Sequence, residues 1–110
     1  MWMQITKIKT DPEKVDELMA LIRNDEVVGA AIATGKGQTS YVLRSTKDPG
    51  EIVSITVWEN EESGVAFFTS AAYAKLGQQM RPYLIAPPER AGYEIKRMGQ
   101  AYAGAVLRYP

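Results

Sequence analysis

The chain has 110 residues, 13 acidic and 13 basic side chains, no cysteine and no histidine. That length argues for one domain burying roughly two thirds of its unfolded surface, and the balanced charge offers no field for nucleic acid or an anionic membrane. Without cysteine there are no disulfides, thiolate metal sites or cysteine nucleophiles; without histidine the commonest general base, metal ligand and proximal haem ligand are gone.

The opening MWMQITKIKT lacks the apolar run of a signal peptide or a membrane span. With nothing to mark export, a cytoplasmic protein is expected. Trp2 to Lys9 reads as a strand whose alternation is imperfect at Ile8. Thr10-Asp11-Pro12-Glu13 then offers a capping-box spacing from Thr10 to Glu13, with proline in the first turn. The helix that starts here carries the apolar stripe Val15, Leu18, Met19, Ile22. Its pattern extends through Val27, Val28 and Ile32, although Gly29 weakens the extension and Gly35 and Gly37 end it. Gly35-Lys36-Gly37 lacks the spacing of a phosphate-binding loop.

Thr39 to Thr46 reads as a second strand, with Tyr41 and Leu43 on one face and Val42 and Arg44 on the other. Lys47-Asp48-Pro49-Gly50 is a turn, so a hairpin leads into the third strand. That strand is the most informative stretch of the chain. In IVSITVWENEES, Val53, Ile55 and Val57 alternate with Ser54, Thr56 and Trp58, giving one aliphatic face and one hydroxyl-plus-indole face. Asn60 is a good N-cap, and Glu61 and Glu62 suit the positive end of a helix. A short helix with Val65 and Phe68 follows, then a second one capped by Ser70 and striped by Tyr73, Leu76 and Met80. Pro82, Pro87 and Pro88 break the pattern. Ala91, Tyr93 and Ile95 alternate with Gly92, Glu94 and Lys96 as a last strand, and residues 99–110 form a small-residue tail with no readable element.

The order strand, helix, strand, strand, helix, strand is the split βαβ, ferredoxin-like pattern of an α+β fold, a four-stranded antiparallel sheet with helices on one face. Residues 1–98 make one expected domain. The third strand is apolar or aromatic at most positions on both faces, so both faces need cover. In so small a chain the second cover is expected from another copy, a homodimer with sheets face to face.

SITVWENEE, Ser70-Ala71-Ala72-Tyr73 and PP-x-x-x-x-Tyr93-Glu94-Ile95 together resemble the antibiotic biosynthesis monooxygenase (ABM) domain family over most of residues 1–98. The resemblance implies a dimeric α+β barrel with a pocket between sheet and helices in each subunit. Trp58 matches the tryptophan of the pocket wall, and Ser54 and Thr56 would share the pocket face. Family members include cofactor-free oxidisers of phenols, haem degraders and enzymes of small signalling molecules or quinones. Haem degraders need a histidine where Gly77 stands and an asparagine on the first strand, which this chain lacks. Phenol oxidisers carry asparagine and tyrosine where Ser54 and Gly64 stand.

The expected substrate-binding residues are Trp58, Tyr73, Ser54, Thr56 and Phe68, with no cofactor and no metal. Trp58 could stack on a flat ligand or simply fill the core. Tyr73 could meet a phenol or quinone oxygen, or bond to backbone. Arg44 and Arg81 are candidate electrostatic groups with surface solvation as the plainer reading, and Tyr41 and Tyr93 read as packing. The leading expectation is a cofactor-independent monooxygenase acting on a small phenolic or quinol compound. The alternative is a non-catalytic dimer that binds or carries an aromatic metabolite.

Overall fold

A computed structural model describes residues 1–23 and 37–96 of the chain. Its elements run β1 (Trp2–Lys9), α1 (Val15–Arg23), β2 (Gly37–Arg44), β3 (Glu51–Trp58), α2 (Glu61–Phe68), α3 (Ala71–Met80) and β4 (Glu89–Glu94). The sheet order is β2-β3-β1-β4, with every pairing antiparallel. This is the expected ferredoxin-like α+β arrangement. The expected extension of the first helix through Val27, Val28 and Ile32, and the tail at 99–110, lie outside the described residues. Among those described, no helix is long and apolar enough to cross a membrane.

Strand register decides which residues meet the helices. Trp2 lies opposite Trp58, Gln4 opposite Thr56, Thr6 opposite Ser54 and Ile8 opposite Ile52. These even-numbered residues face the helices, and Trp2, Gln4, Thr6 and Ile8 are all buried. The alternation of β1 is therefore intact at Ile8. It looked broken only because the covered face carries Gln4 and Thr6 where apolar residues would be usual. Met3, Ile5 and Lys7 alternate to the other face, beside Val57, Ile55 and Val53.

The main core gathers at one end of the covered face. Val15, Leu18 and Ile22 from α1 pack with Ile8, Ile52, Leu76 and Met80, and Val15, Leu18 and Ile52 are wholly buried. Burying one such side chain contributes about 1.5–3 kcal/mol, so this cluster holds α1 and α3 on the sheet.

Helix starts follow local chemistry. The Asn60 carboxamide accepts from the Ser63 N–H at 2.8 Å, and Ser70 Oγ accepts from the Tyr73 N–H at 3.2 Å, so both expected caps form. The capping box at Thr10 does not form. Asp11 accepts from the Glu13 N–H at 2.9 Å, and a 3-10 turn over Pro12–Lys14 leads into α1. Thr10 is instead buried, and its hydroxyl donates to the Tyr83 carbonyl. Its backbone pairs with Gly50 and Leu84, so tertiary bonding claims the residue that local sequence would have made a cap.

Strand β2 ends at Arg44 rather than Thr46, because Ser45 starts the turn: its Oγ accepts from the N–H groups of Lys47 and Asp48. Asp48 then accepts from the Gly50 N–H and pairs with Lys9, which also meets Glu51 at 2.9 Å. Hydrogen bonding to Asp48 raises the Lys9 pKa above the ordinary lysine value, and the same bond lowers that of Asp48. Tyr41 and Tyr93, expected to pack, are 56% and 53% exposed on the helix-free face of the chain.

Candidate functional site

The covered face of the sheet is layered by cross-strand rows. At one end lie Glu94, Trp2, Trp58 and Gly37. The next row is Gly92, Gln4, Thr56, Ser40, and the one after it Arg90, Thr6, Ser54, Val42. The apolar row Ile8–Ile52 follows. Two polar rows thus sit between an indole end and an aliphatic end. Buried polar side chains cost free energy unless they find partners, so sequences seldom place them under helices without reason.

A cleft opens above this polar middle. Its floor is Thr6, Ser54 and Thr56; Phe67, Phe68 and Tyr73 form the aromatic side; Ile8, Ile22, Leu76 and Met80 close the aliphatic end. The cleft measures about 410 Å³ with its open mouth, but a water-sized sphere can centre itself in only about 30 Å³ of it. The aromatic side chains pack closely along one side of this narrow space. They pack edge to face: Phe68 meets Tyr73 at 4.7 Å between centroids and 90°, and Phe67 meets Phe68 at 5.0 Å and 79°.

Four of the five expected binding residues line the cleft: Ser54, Thr56, Phe68 and Tyr73. Trp58 does not. It is 2% exposed and packs against Phe67 at 5.0 Å and Phe68 at 6.0 Å, so it supports the aromatic wall from the core. Its indole Nε1 is buried with no hydrogen-bond partner among the described residues.

The glycine at 64, where phenol oxidisers carry tyrosine, has a steric reason. A Cβ there would lie 2.3 Å from the Trp2 ring and 3.1 Å from that of Trp58. A Cβ on Gly92 would lie 2.3 Å from the other edge of Trp2. The Trp2 indole therefore fills the gap between α2 and β4, and both glycines make room for it. Gly77, where haem degraders carry histidine, has open space around its Cβ position.

Sequence reasoning missed Thr6, Phe67 and Arg90. Arg90 faces Thr6 across β4–β1, and its guanidinium carbon lies 5.8 Å from the centre of the Tyr73 ring. Extending the alternation of Ala91 and Tyr93 back by one residue would have put Arg90 on the covered face. Of the arginines that were expected, Arg44 pairs with Asp16 at 3.1 Å and Arg81 stands in an exposed turn after α3. Neither lines the cleft.

Hydroxyls and rings are what this lining offers; no carboxylate, lysine or arginine belongs to it. Such a surface can sandwich a flat molecule and orient its oxygens by hydrogen bonds. It holds no strong base, and no group of three or more metal-ligating side chains occurs among the described residues.

Comparison with known proteins agrees with this architecture. The family model for antibiotic biosynthesis monooxygenase matches residues 1–79. A crystal structure of an antibiotic biosynthesis monooxygenase superposes with a TM-score of 0.72 at 18% identity, covering 88% of this chain and 100% of the other. A conserved protein from Methanosarcina mazei Go1 gives 0.73 at 18% identity over 87% and 94% of the two chains. Rv0793 from Mycobacterium tuberculosis gives 0.73 at 16% identity over 88% and 96%. No match was found among curated proteins. At these identities the structural likeness speaks for the fold, while the family match spans most of the sequence. The chain belongs to the antibiotic biosynthesis monooxygenase family.

Proposed function

We propose that this protein is a cofactor-independent monooxygenase acting on a small phenolic or quinol compound, working as a homodimer. The observation that carries the reading is the polar middle of a helix-covered sheet face, Thr6, Ser54 and Thr56, beneath Phe67, Phe68 and Tyr73. A flat ring would lie among the aromatic side chains, with its oxygens toward the hydroxyls. Because the lining holds no strong base, the substrate must supply its own acidity. A quinol whose anion is delocalised onto a conjugated carbonyl does so, and that electron-rich anion can pass electrons to dioxygen directly. For a quinol hydroxylated and oxidised to a hydroxyquinone, the ring gives up four electrons; one oxygen atom stays in the product and the other leaves as water. The protein's part is to bind the ring, favour its anion and exclude bulk water.

The narrow interior requires Phe67, Phe68 or Tyr73 to change rotamer as the ligand enters. Trp58, expected as a wall, would meet the ligand only through that movement. The open sheet face, with Ile5, Tyr41, Leu43, Val53, Ile55 and Tyr93, is the surface on which the second copy would dock.

Oxygen consumption with a panel of hydroquinones tests the reading. Enzyme-dependent uptake that falls about tenfold or more in Ser54→Ala or Tyr73→Phe is expected, in the range of one lost orienting or charge-stabilising bond. No uptake by the wild-type protein on any quinol would overturn it. The second reading, a protein that binds an aromatic metabolite without turning it over, is favoured by the lack of a base in the lining. Tryptophan quenching by a ligand that is recovered unchanged would select it.

A further inference from the structure

The cleft lining carries no charge, yet one cation stands at its edge. Arg90 occupies the same cross-strand row as Thr6 and Ser54, both of which form the floor. Its guanidinium is held over the ring of Tyr73, a lining residue, at 5.8 Å. A guanidinium placed over an aromatic ring still has N–H donors to offer a planar anion. No carboxylate among the described residues takes those donors: the ion pairs there use Lys7, Lys9, Arg44 and Lys96. The flanking acid Glu89 alternates to the opposite face beside Lys7, and Glu94, on the same face, pairs with Lys96 at 3.1 Å.

We propose that the site takes aromatic compounds bearing an anionic oxygen substituent, a carboxylate at the ring edge, and that Arg90 selects them. This inference rests on the cleft being the binding site for an aromatic ligand, as argued above. From β4 to β3 is two strand spacings, roughly 10 Å. An anion at Arg90 would thus leave the rest of the ring system over Thr6 and Ser54, with the Tyr73 ring beside the guanidinium. Arg90 acts as a specificity residue: it adds affinity for the acidic compound and none for its neutral analogue. Because it is exposed at the mouth, its attraction is screened by salt.

The test is a pair of titrations followed by intrinsic tryptophan fluorescence, with a hydroxynaphthoate and the matching naphthol at pH 7. The wild-type protein binds the acid roughly tenfold more tightly, the preference shrinks with added salt, and Arg90→Gln brings the two affinities within about twofold of each other. Arg90→Lys recovers part of the preference, and Arg44→Gln, which alters a cation away from the cleft, keeps it whole. Equal binding of both compounds by the wild-type protein overturns the proposal, as does a preference that survives Arg90→Gln. Binding of neither compound removes both this inference and the cleft as a ligand site. A preference lost in Arg90→Gln without any oxygen uptake keeps the inference and removes only the monooxygenase reading.

Discussion

The two faces of this sheet are built from alternate residues of the same strands, yet in the central rows their polarity is reversed from what cover alone would predict. The face beneath the helices has Gln4, Thr6, Ser54 and Thr56 at its centre. The face without helices has Ile5, Ile55, Leu43 and Tyr93. A sheet that simply packed one side and wetted the other would show the opposite pattern. The reversal is what the proposed function calls for: a ligand over the covered face and a second copy on the open one.

Substitutions on the two sides of β3 should have different consequences. The largest effect is expected on the covered face. Ile52→Ala, at a wholly buried position, should lower stability by about 2–5 kcal/mol at every protein concentration, seen as a large drop in melting temperature. Ile55→Asp, three residues on and on the other face, should act on association. It should weaken the dimer by about tenfold or more in sedimentation while leaving the far-ultraviolet spectrum folded. A dimer unchanged by Ile55→Asp would contradict the docking of copies on that face.

A finer contrast lies within the helices. Gly64→Ala pushes a methyl into the Trp2 ring and should cost about 1–3 kcal/mol. Gly77→Ala meets open space in α3 and should stabilise by about 0.4–1 kcal/mol. Chemical denaturation of both variants checks the sign of each.

The smallest effect concerns pH. The Asp48 pKa is lowered in the fold, so its contribution is present above the ordinary carboxylate value of 3.8 and is lost as pH falls through the lowered one. The Lys9 pKa is raised, so its contribution is present below 10.5 and is lost as pH rises through the higher folded value. Both groups are partly exposed, and Lys9→Met should only flatten the two ends of the stability profile in thermal melts across that range.

Much of this could be read from the chain because the information was local. The alternation of Val53, Ile55 and Val57 with Ser54, Thr56 and Trp58 needs only neighbours in sequence, and the structure keeps those faces. The caps at Asn60 and Ser70 need three residues each. The misses needed distant partners. Thr10 looked like a cap until Tyr83 took its hydroxyl. Arg90 and Thr6 became neighbours only when β4 paired with β1, across more than eighty residues of chain. Trp58 carried the strongest motif, yet the packing of Phe67 and Phe68 determines that it stands behind the cleft surface. Strand parity says which face a side chain joins; the helices that pack later decide how deep it lies.

Amide chemical-shift mapping of the labelled protein during titration with a hydroxynaphthoate reads both faces of the sheet at once. The largest shifts are expected at Thr6, Ser54, Thr56, Phe68, Tyr73 and Arg90, with Leu43 and Tyr93 little changed. Shifts centred on Leu43, Ile55 and Tyr93, or none at saturating ligand, would contradict a ligand site on the covered face.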